Sequence, residues 1–329
     1  ALALRSVLFY RVPAELSISL NRAWRYFPQP GRIGFFGRVM GLKQQNRLPG
    51  RLISALALLF LLLLLLRPAV RQAFAPEEGV TLNILMYHSI VASEANAGLY
   101  AVTLAQLEQD LAGLKARGYH FVSPRMVLDY TDEGAPLPEK PVLLTFDDGY
   151  RSGLTLLPPL LERYGAYAVV APVGSYCDAA SRQADDSSPH GSMRWEDMAQ
   201  IARELPQITL ANHSYALHST RPRLGCGRLP GERRERWQQI FLEDTEKMQR
   251  AMEDSCGSAP YIYAYPYGNV PEGADGLLRQ QGFSMTFSCY ERPCLLRQGD
   301  RDGLFSMGRF NRDGRLQSAD FLDRWEEKQ

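Results

Sequence analysis

The chain has 329 residues, of which 45% are hydrophobic and 10% aromatic, values typical of a globular protein with one large domain and additional segments. The net charge of +1 hides an asymmetry, because residues 1–75 carry ten Arg and one Lys against one Glu, about +10, so the remainder carries about −9. An acidic main domain excludes nucleic acid as the expected partner.

The first predicted element is an apolar segment at residues 52–66, with the sequence LISALALLFLLLLLL. As a helix it would be roughly 22 Å long, short of the roughly 30 Å hydrocarbon core, and the flanking Arg51 and Arg67 can snorkel to make up the difference. A buried core helix is the alternative, but six consecutive leucines leave no polar face. We therefore predict a transmembrane helix over residues 52–70.

The orientation of this helix follows from the basic residues, which lie mainly before it. They predict that residues 1–51 stay cytoplasmic and that the rest of the chain is translocated. Met40 is a plausible start for a signal or anchor sequence, in which case residues 1–39 lie upstream of the true start. Pro76 directly follows a possible cleavage site ending at Ala75, which counts against cutting. We expect an uncleaved single-pass anchor in the cell membrane.

Beyond residue 78, strand-like and helix-like segments alternate, with apolar runs followed by amphipathic stretches. This alternation predicts βαβ units around a parallel sheet that is either open or closed into a barrel. The predicted strands are LNILMYH, PVLLTF, AYAVVAPV, ITLAN, YIYAY and SMTFSC. The predicted helices are LAQLEQDLAGLKARGY, LLPPLLERYG, RWEDMAQIARE, RRERWQQIFLEDTEKMQRAMED and EGADGLLRQQG.

Polar or catalytic residue types follow several of these strands where each strand ends. They are His88, the pair Asp147 and Asp148, His213, and Pro266 with Tyr267. The carboxyl ends of parallel strands are where active sites lie in α/β folds. Taken singly, Asp-Asp-Gly is most often a turn and a strand-end histidine is usually solvated. The coincidence across four strands favours a functional site.

The segment NHSYALH holds His213 and His218 five positions apart. On a helix this step turns the second side chain well away from the first, and on a strand it places the two on opposite faces. A strand that runs out into a loop could direct both rings at one point. The pair is therefore either two unrelated surface histidines or two ligands of one ion.

The five cysteines do not form a CxxC pair, so no structural zinc site is indicated. Outside the membrane some of them are expected to be oxidised. Cys289 with Cys294, and Cys226 with Cys256, are possible pairs, and the sequence does not decide between pairings.

The strand-end motifs resemble those of the NodB-homology polysaccharide deacetylases, carbohydrate esterase family four. LTFDDGY at 144–150 is similar to the first motif of that family, and NHSYALH is similar to a longer form of the second motif. That longer form resembles the poly-β-1,6-N-acetylglucosamine deacetylases, as do LMYHSI, FVSPRMVLDY, LPEKPVLLTFDDGY and YAYPYG. The resemblance covers about residues 82–312.

The resemblance implies a distorted (β/α) barrel and an N-deacetylase that depends on one divalent metal ion, with Zn²⁺ favoured. Asp148, His213 and His218 would hold the ion, and Asp147 would be the catalytic base. One carboxylate and two imidazoles leave an open coordination position, as a catalytic zinc site requires. An aspartate of pKa near 3.9 cannot deprotonate free water, whereas a metal ion can lower the pKa of a bound water to about 7.

Two departures from the family pattern concern the base and the acid. Ala264 occupies the position where most of the family has an arginine that orients the base. The late motif with a catalytic histidine is missing, since LFSMGRFNR contains none. By resemblance, His88 takes its place as the general acid. His120 and His190 match no motif and are interpreted as ordinary surface histidines.

The expected protein is a membrane-anchored polysaccharide N-deacetylase whose domain, residues 78–315, lies outside the cytoplasm, followed by a C-terminal tail, residues 316–329. Its substrate would be an N-acetylglucosamine-containing polysaccharide, contacted by Pro266 and Tyr267. The alternatives are a deacetylase of peptidoglycan or chitin oligomers and a catalytically inactive glycan-binding barrel. The intact set of metal-site residues disfavours the inactive barrel.

Overall fold

A computed structural model describes residues 79–183 and 191–329, which form a distorted β/α barrel. The predicted anchor at 52–70 and His190 lie outside these residues. The strands are β1 (Val80–Tyr87), β2 (Ser89–Val91), β3 (Ala101–Thr103), β4 (His120–Phe121), β5 (Pro141–Asp148), β6 (Ala168–Pro172), β7 (Ile208–Leu210), β8 (Ile262–Ala264), β9 (Met285–Phe287), β10 (Cys294–Leu296) and β11 (Phe310–Asn311).

The helices surround the strands. They are α1 (Leu104–Ala116), α2 (Pro124–Glu133), α3 (Ser152–Thr155), α4 (Leu157–Tyr164), α5 (Gly174–Arg182), α6 (Trp195–Glu204), α7 (Arg234–Cys256), α8 (Ala274–Gln280) and α9 (Ser318–Glu326). Short 3₁₀ turns occur at Glu94–Asn96, Pro266–Gly268 and Asp302–Leu304. Within the described part of the chain, none of the helices combines the length and apolar character needed to cross a membrane.

The barrel closes through backbone pairings that continue beyond its regular strands. β1, β5, β6 and β7 are parallel neighbours, and β11 lies parallel to β1 on its other edge. Asn212, just after β7, forms a parallel bridge with Tyr263 of β8. β8 pairs in parallel with β9, and Phe287 of β9 bridges in parallel to Met307, just before β11. β10 runs antiparallel to the start of β1. The predicted parallel architecture is thus confirmed, in its closed form.

Two hydrophobic layers follow from the alternation of side chains along the strands. On β5, Leu143 points into the barrel interior with residues such as Ile84 and Phe287. Leu144 and Phe146 point outward and pack against the surrounding helices. Both faces of the strand are therefore buried, which is why β5 is an almost continuous apolar run until it reaches its two aspartates.

Capping residues that can be recognised in the sequence set the ends of several helices. α1 begins with a capping box, in which the Thr103 hydroxyl accepts from the Gln106 amide and the Gln106 side chain accepts from Thr103. α2 begins at Pro124 after the N-cap Ser123 and ends at Gly134 in the left-handed conformation. α2 and α5 were not among the predicted helices.

The stretch 316–329, predicted as a C-terminal tail, contains α9 and belongs to the domain. Phe321, Leu322 and Trp325 are buried in the layer between barrel and helices. α9 packs against α1, and Arg117 binds both Asp323 and Glu326. The tail prediction was wrong because the apolar positions of this short helix are recognised only through the surface that they cover.

Candidate metal and catalytic site

The candidate site lies at the carboxyl ends of the parallel strands, where the first motif places two adjacent aspartates. Asp147 continues the inward phase of β5 and its side chain is buried. Strand alternation alone would direct Asp148 away from it. Asp148 instead has φ of 69°, a left-handed conformation that aspartate tolerates, and its carboxylate faces the two histidines. The backbone turn at the end of β5 thus brings adjacent carboxylates to one site.

A glycine follows because the chain passes close to β6. Gly149 has φ of 68°, and a Cβ atom there would lie 2.6 Å from the Cα of Pro172. Only glycine fits both the conformation and the space. The Asp-Asp-Gly turn is therefore a structural turn as well as the place where functional groups emerge.

Asp148, His213 and His218 converge, as the family resemblance implied. Their ligand atoms lie within 4.8 Å of one another. His218 Nε2 is 3.0 Å and His213 Nε2 is 3.5 Å from Asp148 Oδ1. That oxygen is buried and receives no well-directed hydrogen bond from the described residues. Three atoms with free lone pairs that approach one another without well-directed hydrogen bonds are suited to share one cation. The residues therefore fit a divalent ion that keeps one coordination position open.

The remaining ring nitrogens of the two histidines are held by partners of the protein. His213 Nδ1 lies 2.7 Å from the carbonyl oxygen of Ala264, which leaves Nε2 free to bind an ion. His218 Nδ1 lies 3.1 Å from the Tyr176 hydroxyl and 3.4 Å from that of Tyr267. The Tyr267 ring also stacks on His218 at 4.6 Å. Such outer contacts orient metal-binding imidazoles.

The loop between the histidines explains their spacing of five. Ser214 has φ of 69°, and its amide donates to the Asn212 side chain at 2.8 Å. The Asp244 carboxylate of α7 accepts from the amides of Tyr215 and Ala216 at 2.8 and 2.7 Å. The chain thus leaves β7, turns sharply and returns His218 to the site, which is the strand-to-loop geometry that the sequence left open.

Asp147 is paired with Arg309, a residue that sequence reasoning missed. Arg309 Nη1 donates to Asp147 Oδ1 at 2.7 Å and Nη2 donates to Oδ2 at 2.8 Å. Both side chains are buried, with 0% and 3% exposure. The guanidinium also donates to the Ser288 carbonyl and to the Thr145 hydroxyl, at 2.9 and 3.2 Å. A bidentate pair of this kind fixes the orientation of the carboxylate.

One signal could have led to Arg309. Because Ala264 stands where most of the family has an arginine, a buried Asp147 needs another cation nearby, and LFSMGRFNR, the stretch without a histidine, contains Arg309. Ala264 and Phe287 lie in the same interior cluster, and the Arg309 guanidinium lies 5.5 Å from the Phe287 ring. Arg309 therefore reaches into the barrel interior that the Ala264 side chain faces.

The charges around the site set the protonation of its groups. Burial would raise the pKa of Asp147, but the charge of Arg309 outweighs it and lowers the pKa. Burial would likewise raise the pKa of Asp148, and its contacts with His213 and His218 lower it well below the usual range. Burial lowers the pKa of His88 despite the opposing charges of Asp147 and Asp148.

The structure places the other predicted residues as follows. His88 follows β1, its ring lies 4.7 Å from that of Tyr100, and its charge interacts with those of Asp147 and Asp148. Pro266 is buried, while Tyr267 is 43% exposed beside His218. His120 is exposed on β4 and bonds to the Glu139 carbonyl, away from the site. The roles of these residues stay predictions.

All five cysteines are free thiols, so neither of the proposed disulfides is present. Cys226 is buried and contacts the Tyr263 hydroxyl at 3.1 Å. Cys289 contacts the Arg309 guanidinium at 3.7 Å, while Cys294 lies near the Gly308 carbonyl. In neither proposed pair, Cys289 with Cys294 or Cys226 with Cys256, are the two thiols bonded to each other.

Comparison with known proteins confirms the resemblance. Residues 134–286 match the sequence profile described as polysaccharide deacetylase. The poly-β-1,6-N-acetyl-D-glucosamine N-deacetylase of Escherichia coli strain K12 is 28% identical over 230 residues, covering 62% of this chain and 33% of that protein. The chain thus spans about a third of the length of this curated relative.

Solved structures support the fold. A de-N-acetylase from Aggregatibacter actinomycetemcomitans matches with a TM-score of 0.62 at 23% identity, covering 74% of this chain and 99% of that chain. IcaB from Ammonifex degensii matches with a TM-score of 0.59 at 26% identity, covering 75% and 97%. The barrel described above is therefore shared with solved deacetylases.

Proposed function

Because residues 134–286 match the polysaccharide deacetylase profile, we propose that the chain is a metal-dependent hydrolase that removes N-acetyl groups from an N-acetylglucosamine-containing polysaccharide. The observation that carries the proposal is the placement of the Asp147–Arg309 pair beside Asp148, His213 and His218. A base and a candidate ion site adjoin at the mouth of one barrel, which is the arrangement that hydrolysis of an acetamide needs.

The chain's own residues divide the proton transfers. Asp147, whose pKa is lowered by Arg309, is ionised and accepts a proton from the attacking water. Arg309 keeps this carboxylate oriented while the proton moves. His88 donates a proton to the amine nitrogen as the carbon–nitrogen bond breaks, because an amide anion is a poor leaving group. A divalent ion at Asp148, His213 and His218, for which Zn²⁺ is favoured, would supply Lewis acidity.

Tyr267 is proposed to contact the sugar next to the ion site. Its ring stacks on His218 while the residue is 43% exposed, so Tyr267 is accessible to a ligand beside the candidate ion site. Pro266, which is buried before it, sets the position of this tyrosine in the 3₁₀ turn. These contacts support Tyr267 as part of the substrate surface and Pro266 as its support.

The proposed location is outside the cytoplasmic membrane, with residues 52–70 as a single-pass anchor. The support is the apolar run and the excess of arginine before it. The polymer is proposed to be poly-β-1,6-N-acetylglucosamine, because the Escherichia coli relative is named for that activity.

The direct test is acetate release by the full chain from β-1,6- and β-1,4-linked N-acetylglucosamine oligomers. We expect release to stop on chelation and to return with Zn²⁺. Preference for β-1,4 oligomers would favour the peptidoglycan or chitin alternative. Oligomer binding without acetate release under any metal would favour the inactive glycan-binding barrel.

Variants separate the ion site from the base. Asp148→Ala, His213→Ala and His218→Ala should each lose bound metal together with activity, whereas His120→Ala should lose neither. Asp147→Asn should keep the metal and lose roughly 10²–10⁴-fold in rate. Stoichiometric metal in all three ligand variants would overturn the ligand assignment, and near-normal turnover in Asp147→Asn would place the base elsewhere.

A further inference from the structure

Three hydroxyl groups converge on the carboxylate of Asp275, in the first turn of α8. The Tyr265 and Thr286 hydroxyls each donate to Asp275 Oδ1 at 2.8 Å. The Ser306 hydroxyl donates to Asp275 Oδ2. These three donors lie outside α8, on the chain just after β8, on β9 and on the segment before β11. Asp275 therefore connects separate parts of the barrel rather than capping its own helix.

The Tyr265 hydroxyl anchors the turn that carries Tyr267. Tyr265 is buried, and burial together with the charge of Asp275 raises its pKa, so the hydroxyl stays protonated and donates. The Tyr265 carbonyl accepts from the Gly268 amide at 2.8 Å, which closes the 3₁₀ turn. Within this turn Tyr267 has φ of 58°, and its ring stacks on His218 at 4.6 Å. The Asp275 contact thus holds the base of the turn that places Tyr267 beside the candidate ion site.

The Ser306 hydroxyl anchors the segment that leads to Arg309. Ser306 has φ of 55°, a left-handed conformation that is uncommon for residues other than glycine. Its amide donates to the Thr286 hydroxyl at 2.6 Å, while its own hydroxyl is held by Asp275. A backbone contact and a side-chain contact together keep this serine in its unusual conformation.

Ser288 links this segment to the guanidinium of Arg309. The Ser288 hydroxyl and amide both donate to the Met307 carbonyl, at 3.0 and 2.8 Å. The Ser288 carbonyl accepts from Arg309 Nε at 2.9 Å, and the guanidinium in turn holds both oxygens of Asp147. A continuous series of contacts therefore joins the Ser306 segment to the proposed base.

We propose that Asp275 is a positioning residue for the proposed deacetylation and holds Tyr267 and Arg309 in place from behind the barrel strands. Tyr265, which it binds, packs with Leu278 of α8 in the cluster between the strands and the helices. A carboxylate suits this task because it accepts stronger hydrogen bonds than a neutral group does. The inference rests on the proposed function and deepens it, since it gives the sugar contact and the arginine that orients the base a common support.

Variants of the individual hydroxyls separate the two effects. Tyr265→Phe should raise KM for a β-1,6-linked N-acetylglucosamine tetramer roughly two- to tenfold and leave kcat near the wild-type value. Ser306→Ala should lower kcat by a similar factor and leave KM unchanged, because it acts on the base rather than on the sugar contact. Asp275→Ala should change both parameters, with a loss in kcat/KM of up to about 10²-fold. Rates are normalised to the folded, metal-loaded full chain.

Double variants test whether Asp275 acts through these hydroxyls. Adding Tyr265→Phe to Asp275→Ala should raise KM no further, and adding Ser306→Ala should lower kcat no further, since each hydroxyl has already lost its acceptor. Asp275→Asn should recover kcat/KM to within about threefold of wild type. Its amide oxygen accepts from Tyr265 and Thr286, and its NH₂ group donates to the Ser306 oxygen.

The matched control is Asp302→Ala, which breaks the 2.9 Å ion pair between Arg279 of α8 and the chain shortly before Ser306. It should leave kcat and KM as in wild type. Hydrogen–deuterium exchange supplies a measurement that does not depend on turnover. Asp275→Ala should increase exchange at residues 265–268 and 306–309, whereas Asp302→Ala should leave exchange there unchanged.

Wild-type kcat and KM in Asp275→Ala would overturn the positioning role, and so would losses that multiply in the double variants. A lower yield of folded Asp275→Ala with unchanged kcat and KM would show a structural role alone. If Asp275→Ala does not fold, unchanged kinetics in both Tyr265→Phe and Ser306→Ala contradict the proposal. Increased exchange at both segments in Asp275→Ala, with no acetate release by wild type, would support Asp275 as their anchor and overturn the deacetylase function.

Discussion

At the scale of single residues, Asp147 and Asp110 are buried carboxylates that are each paired with a buried arginine. Arg309 binds Asp147 within the site, and Arg312 binds Asp110 of α1 at 2.7 and 3.2 Å. Burial would raise both pKa values. Arg309 outweighs burial and lowers that of Asp147, while burial outweighs Arg312 and the pKa of Asp110 is raised. The same type of Arg–Asp pair thus has opposite effects on the aspartate pKa at the two positions.

Arg309→Met should move the acidic limb of kcat/KM to higher pH. Without the guanidinium, burial raises the pKa of Asp147, so the base is protonated over more of the acidic range. The variant should also lose roughly 3–5 kcal/mol of stability, as expected when one partner of a buried pair is removed. The measurements are a pH–rate profile and chemical unfolding.

The matched control is Arg312→Met, which breaks the Asp110 pair. It should lose comparable stability without moving the acidic limb, because Asp110 lies outside the site. Identical pH profiles for the two variants would show that Arg309 acts only on stability. For the wild type, the lowered pKa of Asp147 means that its contribution to stability is present above the usual Asp pKa near 3.9 and is lost as pH falls through the folded value.

His88→Ala should retain metal and fold but lose turnover by roughly 10²–10⁴-fold. Burial lowers the pKa of His88, so the protonated acid is depleted as pH rises through a value below the usual 6.5. The basic limb of the wild-type profile should report this ionisation and disappear or shift in the variant. Unchanged turnover with an unchanged basic limb would remove His88 from the mechanism, and His120→Ala provides the comparison.

At the scale of elements, α7 shapes the loop that holds the two candidate metal ligands His213 and His218, although it supplies no candidate ligand itself. Asp244 on this helix accepts from the amides of Tyr215 and Ala216, between the two histidines. The Asn212 side chain adds a bond to Ser214. The spacing of His213 and His218 is therefore a property of β7, the loop and α7 together.

Asp244→Ala should weaken metal binding about 10–100-fold, since both loop amides lose their acceptor and His218 is less well oriented. Metal affinity is to be measured by competition with a chelator of known strength. Glu243→Ala, a change at the neighbouring position on α7, is the control, because Glu243 bonds only to the exposed Gln239 among the described residues. Equal affinities in the two variants would contradict a role for Asp244 in the site.

At the scale of the whole molecule, closure of the barrel brings together residues that are far apart in the chain. β11 completes the ring beside β1, and Arg309, the residue just before it, reaches Asp147, 162 positions earlier in the sequence. α9 then covers the outer layer against α1. The site therefore depends on segments from both ends of the described domain.

The proposed topology predicts that protease added to intact cells or spheroplasts reaches the domain that follows residue 78. The arginine excess before residues 52–66 retains the N-terminal end inside, so a tag placed there should be protected. Immunoblots against the tag and the domain provide the measurement. A domain that is never cleaved in spheroplasts, yet is cleaved after lysis, would contradict an extracytoplasmic location.

The sequence by itself determined the alternation of strands and helices and the parallel architecture, whereas the grouping of Asp148, His213 and His218 was implied only by the resemblance of its motifs to a known family. Apolar periodicity is a local property, and strand ends in a parallel fold must lie at one edge, so both can be recognised along the chain. Strands of two or three residues, such as β4 and β11, escaped because they are too short to show a period.

Only the tertiary structure decided the partner of Asp147, the state of the cysteines and the place of α9. Arg309 has no local pattern that separates it from other arginines, and its role arises from a buried contact across the barrel. Thiols that are near in sequence point into different surroundings. The burial of Trp325, which ties α9 to the domain, can be seen only in the folded structure. Such contacts depend on which surfaces meet after folding, and neither composition nor periodicity shows which distant residues will lie side by side.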